Sequence, residues 1–240
     1  MLTQLGPGVH RLGDDIVNSY VLVDGGDVTV VDAGVPSYWQ DLPAALGSIG
    51  RSVGDVRALL LTHGHSDHIG FAERARRAAI PVRVHELDAA LATGKVGNPA
   101  RGFGPWRPGP ILGFLLWSAR HGALGQLKVA AVETFGDGAT LDVPGSPRVI
   151  LVPGHTPGSA ALHFPAHDAL CVGDALATYA VTTGRRGPQL APFTADAPTA
   201  IASLARLEAV AAALTLPGHG AEWRAGPRAA IQLVRERGSA

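Results

Sequence analysis

The first half of the chain alternates short apolar runs with amphipathic stretches. The DGGD sequence at 24–27 is typical of a turn between two hairpin strands. Apolar side chains at Trp39, Leu42, Leu46 and Ile49 are spaced by three and four residues, which indicates one buried helix face. This half is therefore predicted to contain strands at 16–23, 28–34, 56–62 and 80–85, and helices at 37–49 and 69–79.

The second half ends in the same kind of alternation, after a segment that departs from it. Residues 94–126 are rich in glycine and proline and have a very apolar centre. Beyond them we predict strands at 148–154, 159–165, 169–174 and 214–220. Helices are predicted at 197–213, with Asp196 as N-cap, and at 226–237, with Pro227 in the first turn. Strands alternating with helices favour α/β layers in two facing halves.

Composition narrows the classes of partner. Apolar residues make up 46% of the 240 residues, which is enough for a sizeable core, and the formal net charge is zero. A neutral chain lacks the excess of basic over acidic residues that is typical of a nucleic-acid-binding protein. We therefore expect neither nucleic acid nor a membrane as partner. The single Cys171, inside an apolar strand, excludes an internal disulfide and fits a core position. With no recognisable signal peptide or membrane span, the expected compartment is the cytoplasm.

Potential metal ligands crowd the end of the strand at 56–62. The sequence THGHSDH places His63, His65, Asp67 and His68 within six positions. Imidazole nitrogen and carboxylate oxygen are good ligands for zinc, iron and manganese. His63 and His65 point to the same side in an extended chain, and Asp67 and His68 project from the following turn. The segment could therefore serve two ions, one with each pair.

Three other strand ends offer further ligands. His155, Asp174 and His219 each follow an apolar strand and a glycine, which lets the backbone turn sharply. Each alone could be an ordinary turn residue. Together with the cluster at 63–68 they predict a shared site.

These motifs, with VDAG at 31–34 before them, closely resemble those of the metallo-β-lactamase superfamily. The resemblance spans Asp32 to His219 and implies an α/β (α+β) fold, a four-layer αβ/βα sandwich, here as one domain over 1–240. It also implies that Asp32 accepts hydrogen bonds that hold the histidine loop. The ligand sets it implies are His63, His65 and His155 for one ion and Asp67, His68 and His219 for the other, with Asp174 bridging.

The implied activity is that of a metal-dependent hydrolase. Two divalent ions, zinc first with iron or manganese as alternatives, would hold a hydroxide that attacks an ester, thioester, lactone or amide carbonyl. Asp67 and Asp174 are the candidate catalytic residues. Among branches of the superfamily the chain resembles the glyoxalase II and lactonase type. Only about twenty residues follow His219, so we expect no glutathione-binding helical domain.

Two other functions remain open at this point. A mononuclear iron oxidoreductase of the persulfide dioxygenase kind would use His63, His155 and Asp174, a set of two histidines and one carboxylate. A non-catalytic metal-binding protein is the other alternative.

Three interpretations of the apolar insertion at 94–126 are open: a lid or wall of the substrate pocket, a homodimer contact, or an extra helix packed on the sandwich. As a lid, its Trp106, Phe114 and Trp117 would favour a small apolar or acyl substrate. Tyr179 follows Asp174 by five residues and is a weaker candidate for substrate contact, with a surface or core position as the alternative.

His85 is expected to be structural or a partner in a helix cap.

Overall fold

The computed structural model describes residues 2–100, 102, 104–125 and 127–238, and two β-sheets dominate it. The first sheet has seven strands in sequence order: β1 (Leu2–Gly6), β2 (Val9–Gly13), β3 (Asn18–Asp24), β4 (Asp27–Val31), β5 (Val56–Leu61), β6 (Val82–His85) and β7 (Glu133–Phe135). The pairs from β1 to β4 are antiparallel and those from β4 to β7 are parallel. Each parallel connection crosses one face of the sheet.

The second sheet is built from the later part of the chain. Its strands are β8 (Arg148–Leu151), β9 (Ala160–Phe164), β10 (Ala169–Gly173) and β13 (Leu214–Pro217), in the order β13-β10-β9-β8. A separate hairpin pairs β11 (Ala177–Tyr179) with β12 (Arg186–Gln189). The helices are α1 (Tyr38–Gly47), α2 (Ala72–Arg77), α3 (Ala89–Ala92), α4 (Pro108–Arg120), α5 (Ala197–Ser203) and α6 (Gly226–Arg237).

Three apolar clusters separate four layers. Alternate residues of one strand enter different clusters: Tyr20 and Leu22 face the second sheet, whereas Val21 faces α1 and α2. In β10, Cys171 lies in the cluster between the sheets, and Leu170 packs against α6 on the other side. The order is helices, sheet, sheet, helices. The fold is thus the αβ/βα sandwich that the sequence predicted.

Most predicted elements are present, with shifts of a few residues at their ends. The helix expected over 197–213 was wrong in length, because α5 ends at Ser203 and a 3-10 helix continues only to Leu207. Leu204 and Leu207 are both buried in the outer cluster, and a spacing of three residues suits the 3-10 geometry. The strands β1 and β2 were not predicted. Asp196 caps α5 as expected, accepting from Thr199 N at 3.1 Å.

The segment at 94–126 contains α4. Most of its large apolar side chains are exposed or only half-buried. Within the described part of the chain, no helix combines the length and the apolar character that crossing a membrane requires.

Candidate metal centre

The predicted ligands meet where strands of both sheets end. His63 follows β5, His155 follows β8, Asp174 follows β10 and His219 follows β13. A hydrogen bond from Ala160 N to Thr62 O, 2.9 Å long, joins the two sheets at this edge. The parallel pairs β4–β5 and β10–β13 place their carboxyl ends together, so loops distant in sequence share one site.

Asp32 organises the first histidine loop from the end of β4. Its buried carboxylate accepts from Thr62 N at 2.7 Å, from Thr62 Oγ1 at 2.8 Å and from His68 Nδ1 at 2.9 Å. Its backbone has a positive φ of 59°, a conformation that aspartate adopts more readily than most residues. The carboxylate thereby fixes both the start of the loop and the ring of His68.

Asp174 lies at the centre of the cluster. Its Oδ2 is 3.4 Å from His155 Nε2 and 3.2 Å from His219 Nε2. Its Oδ1 is 3.5 Å from His68 Nε2. On the outer side, His219 Nε2 is 3.4 Å from Asp67 Oδ2. One carboxylate therefore faces histidines of both predicted ligand sets.

The candidate ligand atoms form three overlapping groups. In each group the atoms lie within 4.8 Å of one another. The groups are His63, His65 and His155; His63, His68 and Asp174; and Asp67, His68 and His219. The first and third coincide with the two sets that the sequence resemblance implied.

Each imidazole has an oxygen partner on the side away from the cluster. The Thr62 hydroxyl already donates to Asp32, so it must accept from His63 Nδ1, 3.1 Å away. Likewise, the Thr194 hydroxyl donates to a backbone carbonyl and accepts from His155 Nδ1 at 3.2 Å. These contacts fix the tautomer, since the ring proton lies on the outer nitrogen.

In the remaining three histidines the outer ring nitrogen also donates to an oxygen atom of the protein. His68 Nδ1 donates to Asp32, and His219 Nδ1 donates to the carbonyl oxygen of Ile16. His65 is turned the other way, with Nε2 donating to Asn98 Oδ1 at 3.1 Å and Nδ1 facing inward, 2.9 Å from His155 Nε2. Five inner nitrogens therefore converge on one space. A histidine that binds a metal characteristically donates its other ring N–H in this way.

Electrostatics within the cluster favour a cation beside Asp174. Burial lowers the pKa of His63 and His155 well below the ordinary histidine value, so both rings are neutral. Burial alone would lower the pKa of His68 too, but Asp174 and neighbouring carboxylates raise it to about 10. Burial would raise the pKa of Asp174, yet the surrounding histidines hold it well below its usual range.

The donor set fits divalent metal ions. Three inner atoms, His63 Nε2, His68 Nε2 and Asp174 Oδ1, are buried and have no hydrogen-bond partner among the described residues. Tetrahedral zinc with ligand bonds of about 2.0–2.1 Å separates its ligand atoms by about 3.3–3.4 Å. The contacts around Asp174, 3.2 to 3.5 Å, match that separation.

A second buried carboxylate, which the sequence reasoning did not identify, ties two ligand loops together. Asp88 accepts from Gly64 N at 2.8 Å, from Thr156 Oγ1 at 2.8 Å and from Gly158 N at 2.7 Å. Gly64 lies between His63 and His65, and Thr156 follows His155. Asn98 and Thr194 were missed as well. Among these supporting residues, Thr62 could have been identified from the sequence, because it is a polar residue that ends an apolar strand directly before His63.

The predicted substrate contacts line two cavities. The larger, about 540 Å³, is lined by Trp106, Phe193 and Thr194, among others. The smaller, about 350 Å³, is lined by Ile16, Phe114, Trp117 and Tyr179, among others. Thr194 and Ile16 are also the outer partners of His155 and His219, so one wall residue of each cavity contacts a ligand histidine from its outer side.

The aromatic residues of the cavities have further contacts. The ring centres of Phe114 and Phe193 lie 6.5 Å apart, and the Trp117 indole N–H donates to Asp14 Oδ2 at 2.7 Å. The Arg186 guanidinium lies 5.1 Å from the centre of the Tyr179 ring. His85 accepts from Leu87 N at the start of a short 3-10 helix, the cap role expected for it.

Comparison with known proteins agrees with this architecture. A Bacillus subtilis protein named "Probable metallo-hydrolase YflN" is 30% identical over 233 residues, which is 89% of this chain and 84% of that protein. Among solved structures, the metallo-beta-lactamase family protein TTHA1429 from Thermus thermophilus is 26% identical with a TM-score of 0.68, over 98% of this chain and 80% of that one. A structure titled TTHA1623 in a di-iron-bound form is 26% identical with a TM-score of 0.62, over 89% of this chain and 92% of that one.

The family model described as "Metallo-beta-lactamase superfamily" matches residues 12–219. That range takes in all seven residues of the histidine and aspartate cluster. The chain belongs to the metallo-β-lactamase superfamily and carries a candidate metal-binding site of the kind found in metallo-hydrolases.

Proposed function

We propose that the chain is a hydrolase with a two-ion, zinc-type site, acting on an ester, thioester, lactone or amide carbonyl. The observation that carries this is the common orientation of the five imidazoles, each with its outer N–H donated to a protein oxygen and its inner nitrogen directed into the cluster. The related structure titled as a di-iron-bound form also favours two ions.

The residues divide between two ions. His63, His65 and His155 would hold one, and Asp67, His68 and His219 the other. Asp174 would contact both, since its two oxygens face histidines of each set. When bound, the ions would supply a hydroxide nucleophile at neutral pH and polarise the substrate carbonyl.

Asp67 is suited to handle a proton at the open side of the site. Its side chain is 24% exposed to solvent, whereas the other six candidate ligands are buried. Its Oδ2 lies 3.4 Å from His219 Nε2, at the edge of the cluster. The substrate carbonyl would approach from this side.

The two cavities favour a substrate with an apolar acyl group. Besides Trp106 and Phe193, the larger cavity is lined by Leu190, Ala191 and Pro192. Its volume of about 540 Å³ lies within the usual range of roughly 300–1,000 Å³ for small-molecule sites. An apolar chain there would leave water, and Thr194 in the wall of this cavity contacts His155.

Metal analysis coupled to a substrate panel tests the proposed chemistry. We expect two zinc ions per chain, and hydrolysis within a panel of a lactone, a thioester, a β-lactam and a phosphodiester. Asp174→Asn should lose at least one ion and most activity. His163→Asn is the matched control, because His163 lies in β9 outside the cluster and its Nε2 contacts the backbone oxygen of Ala211 at 3.1 Å.

The same measurements separate the alternatives. One iron per chain, with oxygen consumption on glutathione persulfide, would instead support the mononuclear oxidoreductase. Full metal loading without hydrolysis of any substrate would support a non-catalytic metal-binding protein. An Asp174→Asn variant with unchanged metal content and rate would overturn the two-ion proposal.

A chain-length series tests the acyl cavity. Ala197 lines the larger cavity from the first turn of α5 and is half-buried, so Ala197→Trp fills space without disturbing the core. We expect it to shift the preferred acyl chain to shorter lengths through KM. Ala202→Trp, at an exposed position of the same helix outside the cavity, should leave the preference unchanged. Equal profiles for both variants would refute acyl binding in this cavity.

A further inference from the structure

Positive charge is concentrated in one stretch of a neutral chain. The sequence has 20 basic and 20 acidic residues overall, yet residues 89–132 contain no aspartate or glutamate. They contain five basic residues: Lys95, Arg101, Arg107, Arg120 and Lys128. The net charge of the whole chain, on which the expectation of no membrane contact rested, conceals this local excess.

The same stretch exposes apolar side chains on α4. Leu112, Leu115 and Leu116 are 57%, 47% and 54% exposed, and their spacing of three and four residues places them on one helix face. Arg120 follows Leu116 by four residues on that face. Trp106, just before the helix, is 59% exposed. Clustered exposed apolar residues of this kind mark interaction sites more often than scattered ones do.

The helix is fixed with this face outward. The Trp117 indole donates to Asp14 Oδ2 at 2.7 Å, and Arg107 N donates to Thr182 O at 2.8 Å. Phe114, near the middle of the helix, packs toward Phe193. The inner side of α4 is thus held against two other parts of the chain, and Leu112 and Leu115 remain directed away from it.

We propose that α4 and its flanks, residues 104–125, dock on an anionic lipid surface. Leucine and tryptophan side chains enter the interface between headgroups and acyl chains, and arginines beside them pair with anionic headgroups. The long stem of Arg120 can lie along the apolar layer while its guanidinium stays at headgroup level.

The charge pattern distinguishes a lipid surface from a second copy of the chain. A symmetric pairing through α4 would place the same surface on both partners. Arg107 and Arg120 would then lie near the arginines of the other copy, and Asp14, which accepts from Trp117, is an acidic contact of the helix. The hairpin beside α4 adds the exposed Arg185, whereas the neighbouring Arg186 lies 3.5 Å from Asp15 Oδ2. An anionic partner relieves this repulsion, whereas an identical one increases it.

Vesicle binding by the purified chain tests the proposal without reference to catalysis. We would measure flotation with vesicles of phosphatidylcholine alone and of phosphatidylcholine mixed with phosphatidylglycerol. The wild type should bind the mixed vesicles roughly tenfold more tightly, and added salt should weaken this binding. Leu112→Glu with Leu115→Glu should reduce it about tenfold.

The control is Arg228→Glu, which changes the charge by the same two units on the exposed side of α6. It should bind the mixed vesicles nearly as tightly as the wild type does. Circular dichroism would verify that all variants are folded. Three results would overturn the proposal: no vesicle binding, equal binding to both vesicle types, or equal binding by the double variant. A wild-type dimer that the double variant splits, without vesicle binding, would identify a second copy as the occupant.

Discussion

Asp88 offers a sharp test of how the ligand loops are positioned. It is fully buried and accepts three hydrogen bonds, two on Oδ2 from Gly64 N and Thr156 Oγ1 and one on Oδ1 from Gly158 N. Asp88→Asn keeps the volume but replaces one acceptor oxygen with an NH₂ donor. In either orientation of the amide, at least one backbone N–H then faces another donor.

The loss of stability depends on how many hydrogen bonds to the carboxylate are lost. A hydrogen bond to a charged group contributes about 1.5–3 kcal/mol, and an unsatisfied buried donor costs a similar amount. One lost bond in Asp88→Asn therefore predicts a loss of about 2 kcal/mol, which lowers the Tm of a chain of this size by roughly 4–8 °C. Asp88→Ala removes all three acceptor contacts and should cost on the order of 5 kcal/mol, a large part of the stability of a typical domain.

The positioning role predicts a second effect that a general loss of stability would not produce. Since Asp88 joins the loop of His63 and His65 to the loop of His155, the ion held by these three histidines should bind about 10- to 100-fold more weakly in Asp88→Asn. The other ion should bind with nearly unchanged affinity. Zinc competition titrations, with thermal melts of the metal-free protein alongside, measure both quantities.

Asp196→Asn is the matched control, because it makes the same chemical change at an exposed helix cap. Asparagine caps a helix about as well as aspartate, so both Tm and zinc affinity should stay near wild type. An Asp88→Asn variant that melts earlier but binds both ions normally would show that Asp88 supports the fold alone. Unchanged melting and unchanged zinc binding together would show that Asp88 neither stabilises the fold nor positions the ligand loops.

Three further outcomes follow from the same structure. Chelation should lower the Tm by roughly 8–16 °C, as expected for an ion at about 1,000 times its Kd, and differential scanning calorimetry with zinc added back checks it. Gly70→Ala should fail to fold, because its Cβ would overlap the backbone of the loop after β4, whereas Gly97→Ala, in open space, should express and melt normally. Hydrogen bonds from Arg76, the Ala130 backbone and Arg77 hold the pKa of Glu73 well below its usual range, so Glu73→Gln should melt earlier at neutral pH. That difference should shrink as the pH falls below the ordinary glutamate pKa toward the depressed value, as melts across a pH series would show.

The ligand positions could be predicted because local sequence places them. An apolar run that stops at Thr62 fixes where the strand ends, and the polar residues after it must lie at the edge of the sheet. The same holds for Asp174 after β10 and His219 after β13. What brings these edges together is the pairing of the strands and the packing of two sheets, which the sequence indicated through a family resemblance rather than through spacing.

The outer partners of the histidines could not be predicted in the same way. Thr194 lies 39 positions from His155, and the Ile16 carbonyl lies 203 positions from His219. No periodicity links such pairs, since each contact depends on where a loop lies after the layers have packed. The helix at 197–213 was overestimated for a related reason: Leu204 and Leu207 follow the shape of the core rather than the intrinsic preference of the segment.

The arrangement at the sheet edge also explains why the inner nitrogens remain available. Neutral hydrogen bonds already join the two halves there: the Asn18 side chain donates to Pro217 O at 3.1 Å and Gly220 O at 2.7 Å, and the Tyr20 hydroxyl donates to Pro217 O at 2.6 Å. These bonds fix the end of β13, and with it His219, independently of Asp174. Because backbone and hydroxyl groups hold the loops, the imidazoles and the central carboxylate need not bond to one another to close the sandwich. Their inner nitrogens and carboxylate oxygens converge on a common space, which is the condition for binding ions without rearranging the fold.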